Sequence, residues 1–328
     1  MEGRLPNIVV LGASGLIGQT IATELMRAGS SVVPIARRFA AAQKNAFAKC
    51  ALECPVTSLD AQTLARILAE LQADIVVNCI GMLQDSGRER ADDVHRRFVT
   101  RLAEALGMQR ETPLLVHLSI PGREVEDETE FSRTKREAER LIASTSVPFV
   151  ILRPGFVVDA TAYGGSALVR ALAAVPLSLP RQEADRPFTA TDVTDIVQTV
   201  SFIVQRWRNG ERRWAIVWDV MERRPSTVGG AVDAFRRRFG GSNSIGRLPS
   251  SLMAIGARAG DVSAYLGWRP PIRTTALREL RRGVEGNPEP WIAATGIEPA
   301  SLEDALAQLP ATVQERWFAR RLLAVWCG

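Results

Sequence analysis

Gly12-Ala13-Ser14-Gly15-Leu16-Ile17-Gly18 is the stretch from which the rest of the chain can be read. The apolar run Ile8-Val9-Val10-Leu11 leads into it, and an amphipathic pattern from Gln19 to Ala28 leaves it, with Gly29 placed to stop a helix. A glycine turn between a first strand and a helix lets the backbone approach a pyrophosphate. The helix N-terminus then supplies unpaired N–H groups and a favourable dipole. A glycine triplet alone is weak evidence; a strand before it and a helix after it make it strong. Gly12, Ser14, Gly15, Leu16, Ile17 and Gly18 are therefore expected to bind a dinucleotide.

The next strand, Ser31-Val32-Val33-Pro34-Ile35, bears on which dinucleotide. The acid that would hold a ribose 2′-hydroxyl belongs about 20 residues beyond the glycine motif. Ala36 stands there instead, followed by Arg37 and Arg38. Guanidinium forks match a 2′-phosphate, so NADP(H) is favoured over NAD(H). The plain alternative is two solvated loop charges in an arginine-rich protein.

Strand and helix keep alternating to about residue 155. Strands are predicted at 51–54, 75–81, 114–119 and 149–155, and helices at 60–71, 89–106 and 131–143. Short apolar runs separated by amphipathic helices imply an α/β fold with a doubly wound parallel Rossmann sheet. Beyond Gly155 the rhythm loosens. A helix is predicted over 166–174, another from Asp192 to Trp207, a strand over 213–220, then three or four helices. The expected division is a dinucleotide-binding core over 1–155 and a smaller, mainly helical cap over 156–328, with some segments returning to the core.

The bulk numbers fit that outline. The chain has 328 residues, 46% of them apolar, enough for a well-buried core. Four cysteines form no CxxC pair and there are two histidines, so a zinc site is not expected. Residues 1–11 run straight into a strand, and with reduced thiols this gives a cytoplasmic expectation. Residues 186–328 hold 20 arginines against 14 acids, a local balance of +6 within a net charge of +5. That basic half could face an anionic surface such as lipid headgroups. No groove-reading motif accompanies Arg236-Arg237-Arg238, so nucleic acid is set aside.

The glycine motif, Asn78-Cys79-Ile80-Gly81, Ser119, Lys135, Arg153-Pro154-Gly155 and Arg186-Pro187-Phe188 with Asp192 come in one order. In that order they resemble the extended and atypical branches of the short-chain dehydrogenase/reductase superfamily, over about residues 7–200. The later runs Leu280–Pro288 and Pro299–Leu306 look like a bacterial atypical subgroup. That subgroup is related to a respiratory complex I accessory subunit and often precedes a DoxX-like membrane domain. The resemblance implies that Asn78, Cys79, Gly81 and Pro154 line the cofactor and that Lys135 holds the nicotinamide ribose. In catalytic members a tyrosine four residues before the lysine donates the proton and a serine orients the substrate oxygen. Here that position is Phe131, whose ring has no proton to give, while Ser119 matches the serine region. Pro55 stands where many relatives have an aspartate near the adenine, leaving Val56 to pack on the base. Tyr163 and His117 are the replacement acids considered, with cap packing for Tyr163 and local hydrogen bonding for His117 as their ordinary roles.

Three functions stay open: an NADP(H)-binding structural or sensing module with little ordinary turnover; a divergent NAD(P)H-dependent reductase, epimerase or dehydratase using another acid; and a protein-interaction module with a vestigial cofactor site. The partner is a dinucleotide with an unknown small molecule or protein. Arg316-Trp317-Phe318-Ala319-Arg320-Arg321 and the apolar run after it have the composition of a helix lying at an anionic membrane surface, and 316–328 is too short to span one.

Overall fold

The computed structural model describes residues 4–83, 91–159, 165–240, 246–265 and 272–309. Its first half alternates β1 (Asn7–Leu11), α1 (Leu16–Arg27), β2 (Ser31–Ala36), α2 (Ala41–Phe47), β3 (Leu52–Glu53), α3 (Ala61–Glu70), β4 (Ile75–Asn78), α4 (Phe98–Gly107), β5 (Leu114–Leu118), α5 (Glu130–Ala143) and β6 (Phe149–Pro154). There follow β7 (Phe156–Val158), α6 (Gly165–Ala174), β8 (Leu177–Ser178), α7 (Arg181–Ala184), β9 (Pro187–Phe188), β10 (Ala190–Asp192), α8 (Val193–Arg208) and β11 (Ala215–Val220). The last are β12 (Ser226–Thr227), α9 (Val228–Arg238), β13 (Gly246–Arg247), α10 (Ser250–Tyr265), α11 (Thr274–Arg282), α12 (Glu289–Thr295) and α13 (Leu302–Gln308).

Seven strands form one parallel sheet in the order β11-β6-β5-β4-β1-β2-β3. Strand order reverses at β1 and β4, which leaves a crevice outside their C-terminal ends. Both faces of the sheet are covered, so the strands are apolar throughout rather than alternating with polar residues. Ile8 and Val10 pack with Ile21, Leu25, Ile196 and Val200 of α1 and α8. Val9 and Leu11 pack the other way, with Leu64 of α3, Leu102 of α4 and Ile142 of α5. Helix starts are fixed by side chains: Asp60 accepts from the Thr63 N–H, Thr129 from Ser132 and Asp192 from Thr194. Each such cap is worth ~1 kcal/mol.

The later residues do more than cover the sheet. β11 joins it beside β6, with Ala215 opposite Phe149 and Val220 opposite Pro154. A separate apolar cluster, built by Leu168, Phe188, Val232, Phe235, Leu277 and Leu306, unites α6, α9, α11 and α13. Trp291 of α12 is fully buried against α8 and donates from Nε1 to Thr199 Oγ1 at 3.0 Å.

Several boundaries differ from the sequence expectation. Five helices, not three or four, follow β11 among the described residues, because Gly283 (φ +77) and Gly296 (φ +70) end α11 and α12. The long helix expected over 89–106 carries a widened π turn at Asp93–Arg97 before α4. The third strand shrinks to two residues ahead of Pro55. No helix among the described residues is long and apolar enough to cross a membrane. Tyr163 and residues 316–328 lie outside the described residues.

Candidate functional site

The three glycines of the turn do three different things. Gly12 sits at φ +80, and its N–H and that of Ala13 donate to Ile35 O at 2.9 and 3.1 Å, closing the turn against β2. A Cβ on Gly18 would fall 2.5 Å from Gly12 O, so this glycine lets α1 lie against the turn. A Cβ on Gly15 would meet only Gly12 O at an ordinary 3.4 Å, which leaves its outer side open. Gly15 is the N-cap of α1 and has no side chain to cap the first turn. The N–H groups left over there are those suited to an anion.

A cavity of about 510 Å³ opens over this turn. Its wall unites Gly15, Leu16, Ile17 and Gly18 with Cys79, Gly81, Ser119, Phe131, Lys135 and Pro154. Gly12, Ser14, Arg37, Arg38, Val56, Asn78 and His117 are not on it. Val56 is buried in the core beside Leu11 and Leu64. Asn78 is fully buried; its Oδ1 accepts from the Ile80 N–H at 3.1 Å and its Nδ2 lies 3.1 Å from His117 Nδ1. It therefore shapes the chain after β4 from behind. The expectation that His117 satisfies both ring nitrogens locally holds for Nδ1 alone, since Nε2 is buried with no hydrogen-bond partner among the described residues. Burial holds its pKa well below the ordinary imidazole range.

Arg37 and Arg38 are exposed just beyond β2. Their turn is held by Glu53, which accepts from the Phe39 N–H at 2.7 Å and pairs with Lys44 at 3.0 Å. Gln43 ties that turn to the glycine turn: its Nε2 donates to Ser14 O (3.1 Å) and Gln19 Oε1 (2.7 Å), while its Oε1 accepts from the Ala40 N–H (2.9 Å). Gln43 carries no sequence signal beyond its place in an amphipathic helix.

Lys135 is buried, with Nζ donating to Leu118 O at 2.8 Å and Ile80 O at 3.4 Å. Burial lowers its pKa from 10.5 to about 8. The neighbouring Cys79 thiol is pushed up to about 12, again by burial, with Lys135 opposing the shift. One helical turn before Lys135, Phe131 stands edge-on to His95. His95 Nε2 accepts from the Met82 N–H at 3.0 Å, which leaves Nδ1 as the donor to Thr134 Oγ1 at 2.9 Å. Burial first, then the Lys135 charge, bring its pKa down to about 2, so the ring is neutral.

Ser119 Oγ is buried beside the Glu139 carboxylate without a well-formed hydrogen bond. Glu139 receives Arg153 Nε at 2.9 Å and Arg136 Nη1 at 3.1 Å. Burial pushes it up, and the two guanidinium groups more than offset that. The ion pairs continue through Arg136–Asp127 (3.1 Å) to Arg282 (2.8 Å), which lines the cavity. Glu279, one turn earlier on α11, also lines it and accepts from the Thr129 hydroxyl that caps α5. Its carboxyl pKa is raised by burial, against the pull of Thr129 and Arg282. Sequence reasoning missed His95, Glu279 and Arg282, which reach the site from other helical segments, and Glu139, which lies one turn beyond Lys135 on α5 with no motif to single it out. Among the described residues no cluster of His, Cys, Asp and Glu could hold a metal.

Solved structures share this architecture. WbmG from Bordetella bronchiseptica, in complex with NAD and UDP, is 14% identical with a TM-score of 0.65, each chain 93% covered. UDP-glucuronic acid 4-epimerase from Bacillus cereus, in complex with UDP-glucuronic acid and NAD, is 14% identical with a TM-score of 0.63, covering 96% of this chain and 99% of that one. UDP-glucose 4-epimerase from Thermotoga maritima, with UDP-glucose, is 14% identical with a TM-score of 0.66, covering 97% and 99%. At such identity the likeness is one of fold. No curated protein sequence matches significantly. Residues 8–214, from β1 through α8, match the model of the NAD dependent epimerase/dehydratase family, and the chain belongs to that family.

Proposed function

We propose that the chain binds a nicotinamide dinucleotide across the glycine turn, favours NADP(H), and acts as a structural or sensing module with little ordinary hydride-transfer turnover. In this reading Gly15 and the first turn of α1 take the pyrophosphate, Lys135 the nicotinamide ribose, and Arg37 or Arg38 a 2′-phosphate. Family membership and the NAD bound by the WbmG and glucuronic acid epimerase structures support the cofactor class. The exposed arginines beyond β2 support the phosphate. The observation that carries the loss of turnover is Phe131: the side chain four residues before Lys135 lines the cavity and has no exchangeable proton. Within the short-chain dehydrogenases, the runs at 280–288 and 299–306 favour the branch resembling the complex I accessory subunit, and residues 316–328 favour contact with an anionic membrane surface.

Glu279 favours a second reading, an active reductase or epimerase. A carboxyl whose pKa burial has raised, hydrogen-bonded at the start of α5, is a candidate proton donor in the wall that holds Phe131. Phe131→Tyr separates the two, read as NADPH oxidation against a panel of aldehydes and ketones. The module reading expects a silent wild type and a gain in the variant. Wild-type turnover that Glu279→Gln abolishes selects the enzyme.

A further inference from the structure

The cavity runs well past the residues that a dinucleotide would occupy, and its outer half has a different character. Phe156, Leu168, Val169, Phe188, Val228 and Leu280 supply that wall, from β7, α6, β9, α9 and α11. Among the described lining residues only Lys135, Glu279 and Arg282 carry charge. Each is committed: Lys135 to Leu118 O, Glu279 to Thr129, and Arg282 to Asp127 and, at 2.6 Å, to Pro121 O. A diphosphate drawn to Arg282 would have to take it from the buried Asp127 carboxylate, leaving that charge paired with Arg136 alone.

A second apolar cavity of about 90 Å³ shares Leu168 and Leu280 with the first and is closed on its far side by Leu252 and Met253 of α10. Leu252 is itself 54% exposed, and Ile255 (58%) and Val262 (63%) continue outward from it at helical spacing. Apolar side chains thus extend from the surface of α10, through the small cavity, to the cleft beside Lys135.

We propose that the outer cavity takes an uncharged, lipid-like molecule, an acyl or isoprenoid chain, with its polar end toward Ser119 and Lys135 and its tail between α6 and α11. The placement of the polar end rests on the dinucleotide reading above; the apolar character of the ligand does not. Apolar area is what such a wall recognises, so affinity should follow chain length.

The test uses the full chain and the uncharged fluorophore N-phenyl-1-naphthylamine, displaced by octanol, decanol and dodecanol and challenged with UDP-glucose. The expected result is one fluorophore per chain, displaced about fourfold more tightly per added methylene until the cavity is full, with no displacement by UDP-glucose. Leu280→Gln should weaken displacement by tenfold or more, and Val125→Ser, an exposed position off the wall, should not. No fluorophore binding, affinity independent of chain length, or displacement by UDP-glucose would overturn the proposal, and none of these needs a variant to fold. An NADPH titration on the same samples reports separately on the dinucleotide reading: fluorophore binding without NADPH binding would sink that reading and leave this one standing.

Discussion

Phe131 and His95 meet edge to face, with ring centroids 5.6 Å apart and planes at 71°. Through that contact α5 is keyed to the chain after β4, because the same imidazole accepts from Met82 and reaches Thr134. The ring beside Lys135 is therefore held by packing and has no proton to exchange.

The glycines offer a clean separation of binding from folding. Gly15→Ala should leave the melting temperature within a few degrees of wild type and reduce dinucleotide affinity by tenfold or more, since the added methyl occupies the open side of the turn. Gly18→Ala should destabilise by about 1–3 kcal/mol, because its Cβ has no room against Gly12 O. Calorimetric melts and NADPH titrations of both variants check this. Equal melts with equal affinities would mean the turn does not divide its roles this way.

The arginine turn should discriminate between cofactors. Arg37→Ala with Arg38→Ala is expected to weaken NADPH roughly 30- to 150-fold, from about 2–3 kcal/mol for a charged phosphate contact, and NADH hardly at all. Parallel titrations decide it, and equal losses for both cofactors, or none, would mean that the arginines do not read the phosphate.

Lys135 gives the site a pH signature. Its folded pKa of about 8 lies below the ordinary 10.5, so in the folded protein the ammonium is lost as pH rises through 8, with the Glu139 carboxylate opposing that loss. NADPH affinity should fall by about tenfold between pH 7 and 9.5, on the scale of one charged hydrogen bond. Lys135→Met should bind weakly and without this slope. A wild type as flat as the variant would remove Lys135 from cofactor binding. Stability moves the opposite way: a depressed lysine makes the wild type relatively more stable as pH rises from 8 to 10.5.

Asp195 predicts a different pH dependence, away from the cleft. Burial raises its pKa from 3.8 to about 7, with Asp192 adding to the shift and the Ala300 N–H opposing it. A carboxyl raised on folding is protonated in the native state while ionised in the unfolded one, so stability falls as pH rises from about 4 to 7. Asp195→Asn should be more stable than wild type at pH 8, by on the order of 2–4 kcal/mol, and indistinguishable near pH 4. Thermal melts across that range check it; a constant difference would place the cost elsewhere.

The parallel sheet was legible because its strands are apolar on both faces, and the glycine turn because its spacing meets a steric requirement that few side chains satisfy. Lys135, Phe131, Cys79, Gly81 and Pro154 were legible too, since each ends a strand or shares one helix face and reaches the cavity by local geometry alone. Glu279 and Arg282 were not. They sit on a helix more than a hundred residues beyond α5, and only the packing of α11 within the cap cluster, with contacts to Thr129, Asp127 and Pro121, brings them to the wall. Val56 was legible only as an apolar residue after a strand, a pattern that suits the core as readily as a purine face, and it packs beside Leu11 and Leu64.

Native mass spectrometry of the wild-type chain with equal concentrations of NADPH and NADH decides whether the glycine turn and Arg37–Arg38 form an NADP(H) site. One dinucleotide per chain is expected, with the NADPH adduct dominant. A spectrum with no dinucleotide adduct at concentrations well above the micromolar range would contradict it.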